Sequence, residues 1–324
     1  MKSKLCVISI GLFLGIIQIT SACTSFIQNG SSPSNSTPIL TKVRDTAYSV
    51  AQGSFHKEDL RFFRNSGVYA YIAVMFGQQS SQGARNFISV GTNEKGLSVA
   101  LNFATSESSL IKQLYGSIAQ QESDIIKEIL QKASTVQEAQ EVIHALNKSN
   151  ALVPCLLSLS DSQNGLIAEI AVDTNKNIHY EFKSSISSNN ALYVTNHFDT
   201  STLVNYNQVI SIDSSTRYDR IKQLMNDNAG QQYTVPKALT FAKDYNDGEL
   251  NSVFRNASRM SYVVQGGQQQ STLFIEFTNT AQLYNRALLV LDQNFWSSHK
   301  DGDVIIDADK SFNPGKKIEK FLTY

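Results

Sequence analysis

The chain has 324 residues, 41% of them hydrophobic and 17% charged, which supplies a full core and excludes a disordered or fibrous chain. Its 28 Lys+Arg balance 28 Asp+Glu without any dense basic run, so the electrostatic footprint of a nucleic-acid binder is missing.

Residues 1–22 read as an export signal and not as part of the fold. Lys2 and Lys4 precede the apolar stretch Leu5–Ile17, and Thr20-Ser21-Ala22 supplies the small residues that a signal peptidase reads. The stretch is short for a membrane span, and no later segment reaches the roughly 20 apolar residues that a spanning helix needs. A single domain is therefore expected over residues 23–324, periplasmic, secreted or lysosome-like, with Cys23 as its first residue. Cys6 leaves with the signal, so only Cys23 and Cys155 remain. That excludes a disulfide scaffold and leaves one bridge between them open.

Strand signals open the domain. Thr24–Ile27 and Ile39–Val43 flank a loop rich in Gly, Ser, Asn and Pro, which predicts a hairpin. Further strands are expected at Tyr69–Met75, Phe87–Val90 and Leu97–Asn102, the last two joined across Asn93-Glu94-Lys95-Gly96. Helical periodicity covers Ile111–Ala133 and Val136–Leu146, the second opened by Ser134-Thr135 with Gln137 in the capping-box position. Strands return at Leu156–Leu159, Leu166–Val172, Ile178–Phe182 and Ala191–Val194. Helices follow near Ser215–Met225 and Pro236–Tyr245, then strands at Met260–Val264, Ser271–Thr278 and Ala287–Leu291. Blocks of strands alternating with blocks of helices predict an α+β protein of antiparallel sheets covered by helices.

Cys23 allows two readings. Thr20-Ser21-Ala22-Cys23 fits a lipobox, in which the thiol carries a lipid that tethers a non-catalytic protein. Alternatively Cys23 is a nucleophile whose own α-amine handles the proton. A thiol near 8.5 and an α-amine near 7.7–8.0 both titrate close to neutrality, so small shifts activate the pair. The β-prone Thr24-Ser25-Phe26-Ile27 follows at once, where a lipoprotein would carry a polar tether.

Four segments occur in order: Cys23-Thr24-Ser25-Phe26 after the processing site, Thr92–Leu97 running into Leu101-Asn102-Phe103, Val194-Thr195-Asn196, and Ser214-Ser215-Thr216-Arg217-Tyr218. Together they resemble the choloylglycine hydrolase and acyl-coenzyme A:6-aminopenicillanic acid acyltransferase group of N-terminal-nucleophile hydrolases, across nearly the whole mature chain. The resemblance implies a four-layer αββα sandwich and hydrolysis of a linear amide in a small N-acyl compound, without a cofactor. Acyl transfer to an amine is the alternative outcome of the same thioester. It also implies roles. Cys23 is the nucleophile and Asp45 orients its α-amine. Asn196 offers its side-chain amide, and Asn102 its backbone N–H or side chain, to the oxyanion. Arg217 stands near the thiol and favours its ionised form. Lys42 stands where the group carries arginine, and Arg44 is expected on the opposite face.

Other residues have plainer readings. His197 is expected to border the substrate pocket, since β-prone residues after Cys23 do not suit a papain-like Cys–His pair that needs a helix N-terminus. His56, His144, His179 and His299 have no ligand spacing, so no zinc site is expected. Cys155, between Pro154 and Leu156-Leu157, reads as a core thiol. Phe62, Phe63, Tyr69, Tyr71, Phe76 and Phe103 are candidates for the wall of an acyl pocket. Four Asn-X-Ser/Thr triplets begin at Asn29, Asn35, Asn147 and Asn256.

Overall fold

The computed structural model describes residues 23–29, 37–45, 58–76, 87–185, 191–204, 208–278 and 284–307; the expected export signal and the loop of the first hairpin lie outside them. The elements run β1 (Cys23–Asn29), β2 (Pro38–Asp45), β3 (Asp59–Phe63), β4 (Tyr71–Phe76), β5 (Phe87–Asn93), β6 (Ser98–Asn102), α1 (Ser108–Tyr115), α2 (Ala119–Lys132) and α3 (Val136–Lys148). They continue with β7 (Cys155–Ser160), β8 (Gly165–Val172), β9 (Ile178–Ser184), β10 (Ala191–Val194), α4 (Ile212–Asp227), α5 (Val235–Ala242) and α6 (Gly248–Asn251). Last come β11 (Ser258–Gln265), β12 (Ser271–Thr278), β13 (Tyr284–Leu291), α7 (Gln293–Ser298) and β14 (Val304–Asp307).

Two antiparallel sheets stack face to face. One has the order β10-β1-β2-β11-β12-β13, the other β14-β3-β4-β5-β6-β7-β8-β9. Helices α1 to α3 accompany the larger sheet, with α2 packed on β5 and β6, while α4 and α5 cover the smaller one through β10, β1, β2 and β11. This is the expected αββα sandwich. Strand alternation assigns the side chains to layers. On β1, Phe26 points outward to Phe241 of α5, with ring centroids 6.5 Å apart, whereas Ile27 points inward and joins Leu40 in the core between the sheets. Burying a side chain of this size contributes about 2–3 kcal/mol. Cys23, Ser25 and Ile27 therefore share the inner face, and Thr24, Phe26 and Gln28 the outer one.

Register also sorts the larger sheet. Asn102 of β6 is inward, because its Oδ1 accepts from Ser25 Oγ at 2.6 Å, and Leu156 lies opposite it on β7. Cys155 alternates to the other face, towards the helices. Both Cys23 and Cys155 are free and buried, so the bridge left open above does not form: a sheet lies between the two side chains. Beside Cys155 sits Glu122 of α2, and burial pushes both groups well above their ordinary values, which keeps them neutral.

Three local differences from the sequence reading have simple causes. The helix expected over Ile111–Ala133 is two helices, because Gly116 adopts a φ of 77° and ends α1 with its N–H on Lys112 O. The capping partner of α3 is Glu138, one residue after Gln137. Thr135 is the N-cap and accepts from Glu138 N at 3.1 Å, while Glu138 Oε2 accepts from Ser134 N and Oγ. Strands β3 and β14 were not expected, having four or five residues and no measurable period. Among the described residues, no helix is long and apolar enough to cross a membrane.

Candidate active site

Cys23 opens β1, 1% exposed, with its thiol between the sheets. Its nitrogen donates to Asn196 Oδ1 at 2.7 Å. Asn196 follows the end of β10, and antiparallel pairing of Ser25 with Val194 carries it beside the start of β1. The Asn196 amide is clamped on its other side by the turn after β6. Its Nδ2 donates to Phe103 O at 2.9 Å, and the Asn196 backbone carbonyl accepts from Ser106 N at 3.1 Å.

The inner face of β2 supplies the charges around the thiol. Lys42 lies opposite Ser25 and Arg44 opposite Cys23 in the strand register, so both share the face of the thiol. This corrects the expectation for Arg44: alternation separates neighbours, and residues two apart return to the same side. Lys42 is fully buried. Its Nζ donates to Leu101 O and to Asn102 Oδ1 at 2.5 Å, and it shares the inner face with the Cys23 side chain. Burial pulls its ammonium down to about 8, opposed first by the Cys23 charge. Arg44 forms a buried ion pair with Glu58 and lies 3.9 Å over the Phe76 ring.

The outer face carries a second, balanced network. Arg217 of α4 is fully buried; its Nη1 donates to Cys23 O at 2.6 Å and to Thr24 Oγ1 at 2.8 Å, and its Nη2 to Asn196 Oδ1 at 3.0 Å and Asp213 Oδ2 at 3.3 Å. It grips the backbone of Cys23 from the side away from the sulfur. Asp45 accepts from Arg255 Nε at 2.7 Å and Ser258 Oγ at 2.5 Å, and Arg255 Nη1 reaches Asp213 Oδ2 at 3.0 Å. Two arginines and two aspartates thus interlock behind the nucleophile strand. Sequence reasoning missed Arg255, although an arginine just before an apolar strand is a residue that burial would require to be paired.

Of the six residues expected at the site, the structure gathers all on or around the start of β1, with changed duties for three: Arg217, expected beside the thiol, instead holds the Cys23 carbonyl and Thr24 from the opposite face. Asn102 spends both Nδ2 hydrogens, on Val194 O at 3.2 Å and Thr195 O at 2.8 Å, so only its backbone N–H remains of the two expected donors. The nitrogen of Cys23 bonds Asn196, while Asp45 takes Arg255 and Ser258. His197 turns to Ser214 Oγ at 2.8 Å and packs on Tyr218, where burial lowers its imidazole. Ser214 Oγ also accepts from Asn196 N at 3.0 Å, so this cluster props the Asn196 backbone.

The aromatic residues divide by sheet register. Phe76 packs against Phe87 and Phe103 at the Asn102 end, beside Arg44. Phe63 stacks on Tyr71, which pairs with Asn93 at the far end; Tyr69 lies there too, under Lys95. Phe62 joins Phe295, Trp296 and His299. Only Phe76 and Phe103 of the six stand at the site, and Phe87 belongs with them. Among the described residues, no group of three or more His, Cys, Asp or Glu could hold a metal ion.

The turn that clamps Asn196 ends at Glu107, 1% exposed, whose carboxylate accepts from Val172 N at 3.3 Å; burial pushes it up to about 8. The unfolded chain releases this proton near 4.5 and the native state only near 8. Between those values the native state binds more protons, so this group's contribution to stability falls as pH rises and stays lost above 8. Glu107→Gln is expected to match the parent at pH 4.5 and to exceed it by on the order of 2–4 kcal/mol at pH 9. Urea unfolding at both values measures this, and an equal difference at both would refute the cause given.

The sequence profile described as acyl-coenzyme A:6-aminopenicillanic acid acyl-transferase matches residues 55–263. That range holds Asn102, Asn196, Arg217 and Arg255; β1 and β2 precede it. No curated protein sequence matches the chain. Among solved structures, a mutant of the conjugated bile acid hydrolase from Clostridium perfringens aligns with a TM-score of 0.52 at 13% identity, covering 90% of this chain and 97% of its own. The Caenorhabditis elegans ortholog of N-acylethanolamine-hydrolyzing acid amidase aligns with a TM-score of 0.46 at 14% identity, covering 75% and 92%. With 209 of its 324 residues matched, the chain belongs to the acyl-coenzyme A:6-aminopenicillanic acid acyl-transferase family of N-terminal-nucleophile proteins.

Proposed function

We propose that the chain is an exported amidase that cleaves the linear C–N bond of small N-acyl compounds through a Cys23 thioester. The observation that carries this reading is the placement of one residue's two reactive atoms: the Cys23 nitrogen on Asn196 Oδ1 and the thiol against Lys42. Cleavage after Ala22 converts that nitrogen into an α-amine. The thiolate attacks the amide carbonyl, and the oxyanion is met by the second Nδ2 hydrogen of Asn196 and the Asn102 backbone N–H. The α-ammonium protonates the departing nitrogen, and water resolves the thioester. Family membership, and a fold shared with a bile acid hydrolase, support amide chemistry. Phe76, Phe87 and Phe103 offer an apolar wall for the acyl group. The lipid-anchor reading fits poorly, because Cys23 is the first residue of the paired strand β1, where an anchored chain would carry a polar tether.

The test compares the chain beginning at Cys23 with one that retains Ala22, on a conjugated bile salt, penicillin V and a fatty-acyl amide. The amine released from at least one substrate is expected to form about 10²–10⁴-fold faster with the free terminus, the usual contribution of a positioned proton donor. Equal rates, or none on any substrate, would reject the proposal. The family name also fits transfer of the acyl group, and an added amine that captures the acyl product in place of water would identify it.

A further inference from the structure

The side of the thiol away from its own nitrogen holds a base that the reading above does not use. Lys42 is completely buried on the inner face of β2; its nitrogen donates to Leu101 O and Asn102 Oδ1, and the Cys23 side chain lies on the same face of the neighbouring strand. Among the described residues no carboxylate hydrogen-bonds it. The other groups around it are already committed. Ser25 of β1 donates to Asn102 Oδ1, and Tyr262 of β11, in register with Lys42, bonds Thr92 with its hydroxyl. Arg44 on the same face is paired with Glu58, and Asp45 on the opposite face with Arg255. Glu122 of α2, behind β6, is kept neutral by burial.

Two counts then constrain the proton. An ammonium has three N–H bonds; two point at oxygens that can only accept here, and the third is left for the thiol on the same face. A neutral amine would donate to the same two oxygens and turn its lone pair to the sulfur. Either way a single proton sits between Nζ and Sγ. Charge gives the same answer, because among the described residues of that face Lys42 and Arg44 meet one carboxylate, Glu58, and a buried excess of one positive charge requires an anion. The thiolate is the group placed to supply it.

We propose that Lys42, and not the terminal amine, takes the proton of the Cys23 thiol, so that the terminal ammonium is kept for the departing nitrogen. This rests on the reading of Cys23 as nucleophile and divides acid and base between two nitrogens. The proton passes from Sγ to Nζ once, giving a thiolate–ammonium pair. In the first half-reaction the C–S bond forms, the C–N bond breaks and the α-ammonium gives its proton to the leaving amine. In the second, water attacks the thioester, its proton returns to the α-amine, and sulfur leaves as the thiolate beside Lys42. The lowered position of Lys42, about 8, brings an ordinarily too basic amine within range of a thiol. Arginine in this place could hold a thiolate but could not accept its proton.

Nuclear magnetic resonance of protein labelled at cysteine ¹³Cβ and lysine ¹³Cε tests the pair without any substrate. The Lys42 signal is assigned by its loss in Lys42→Gln. In the parent, Lys42 and Cys23 are expected to titrate over one shared pH range, and to do so equally whether the chain begins at Cys23 or retains Ala22. Cys23→Ser removes the anion and is expected to lower the Lys42 transition by about one pH unit or more, a tenfold change. Lys42→Gln is expected to raise the Cys23 transition by a similar amount. A Lys42 transition unmoved by Cys23→Ser overturns the proposal, as does a Cys23 transition that moves tenfold when Ala22 is retained. Cys23→Ser keeps both oxygen acceptors of Lys42, and where Lys42→Gln fails to fold, Lys42→Arg, which keeps a buried cation, assigns the signal, so Cys23→Ser still decides the matter. Coupled titration without amide turnover would sink the amidase reading alone; turnover with independent titrations would sink the Lys42 role alone.

Discussion

Cys23→Ala is expected to abolish amine release from every N-acyl substrate that the parent cleaves, while the circular dichroism spectrum stays unchanged. Removing a nucleophile from a triad-like unit costs about 10⁶ in turnover, because the remaining groups have nothing to activate. The fold should persist, with buried Lys42 shedding its proton at lower pH once the thiolate is gone. The substitution removes one sulfur at the end of β1, while the strand's pairing with β2 and β10, the grip of Arg217 on the Cys23 carbonyl and the Asn196 contact all use backbone atoms. Turnover within about 100-fold of the parent would show that another group attacks the carbonyl. Hydroxylamine supplies a positive control: with the parent it should divert the acyl group to a hydroxamate, and with the variant it should trap nothing.

Arg217→Met should be the most destabilising single change at the site. The fully buried guanidinium satisfies the Cys23 carbonyl, Thr24 Oγ1, Asn196 Oδ1 and a share of Asp213. Methionine fills the volume but leaves these acceptors dry and tips the outer network towards its aspartates. Breaking a buried charge pair on one side costs about 3–5 kcal/mol, a large part of the total stability of a domain. At about 2–4 °C per kcal/mol for a chain of this size class, the midpoint of thermal unfolding should drop by roughly 6–20 °C. A drop of about 2 °C or less would mean that Arg217 is not what holds β1 to α4. Amide turnover should fall as well, since Asn196 loses the group that fixes its Oδ1.

The layered architecture was readable because its strands announce themselves by alternation and its hairpins by their turns. Cys23–Asn29, the Asn93–Gly96 turn and Ala191–Val194 all form where the pattern puts them. What escaped notice was set by pairing partners distant in sequence. β14 is a strand because β3 is beside it, and the short α6 and α7 carry no period of their own. The same holds at the site. Cys23, Lys42, Asn102 and Asn196 are legible as types, but their bonding depends on which face meets which. Asn102 is an intersheet tie whose amide hydrogens are consumed by β10, and Arg255 matters only because Asp45 and Asp213 converge on it. Resemblance supplied the names of the residues, and geometry altered their duties.

Cys155, sealed between the larger sheet and its helices, also shapes how the protein can be handled. In a chain that begins at Cys23, the other sulfhydryl is sequestered and held in its unreactive form, so on the proposed reading an acyl-mimicking electrophile has one cysteine target per molecule. Its stoichiometry of incorporation would count competent molecules in a crude preparation directly, as a burst titrant does, without reference to any assumed rate constant.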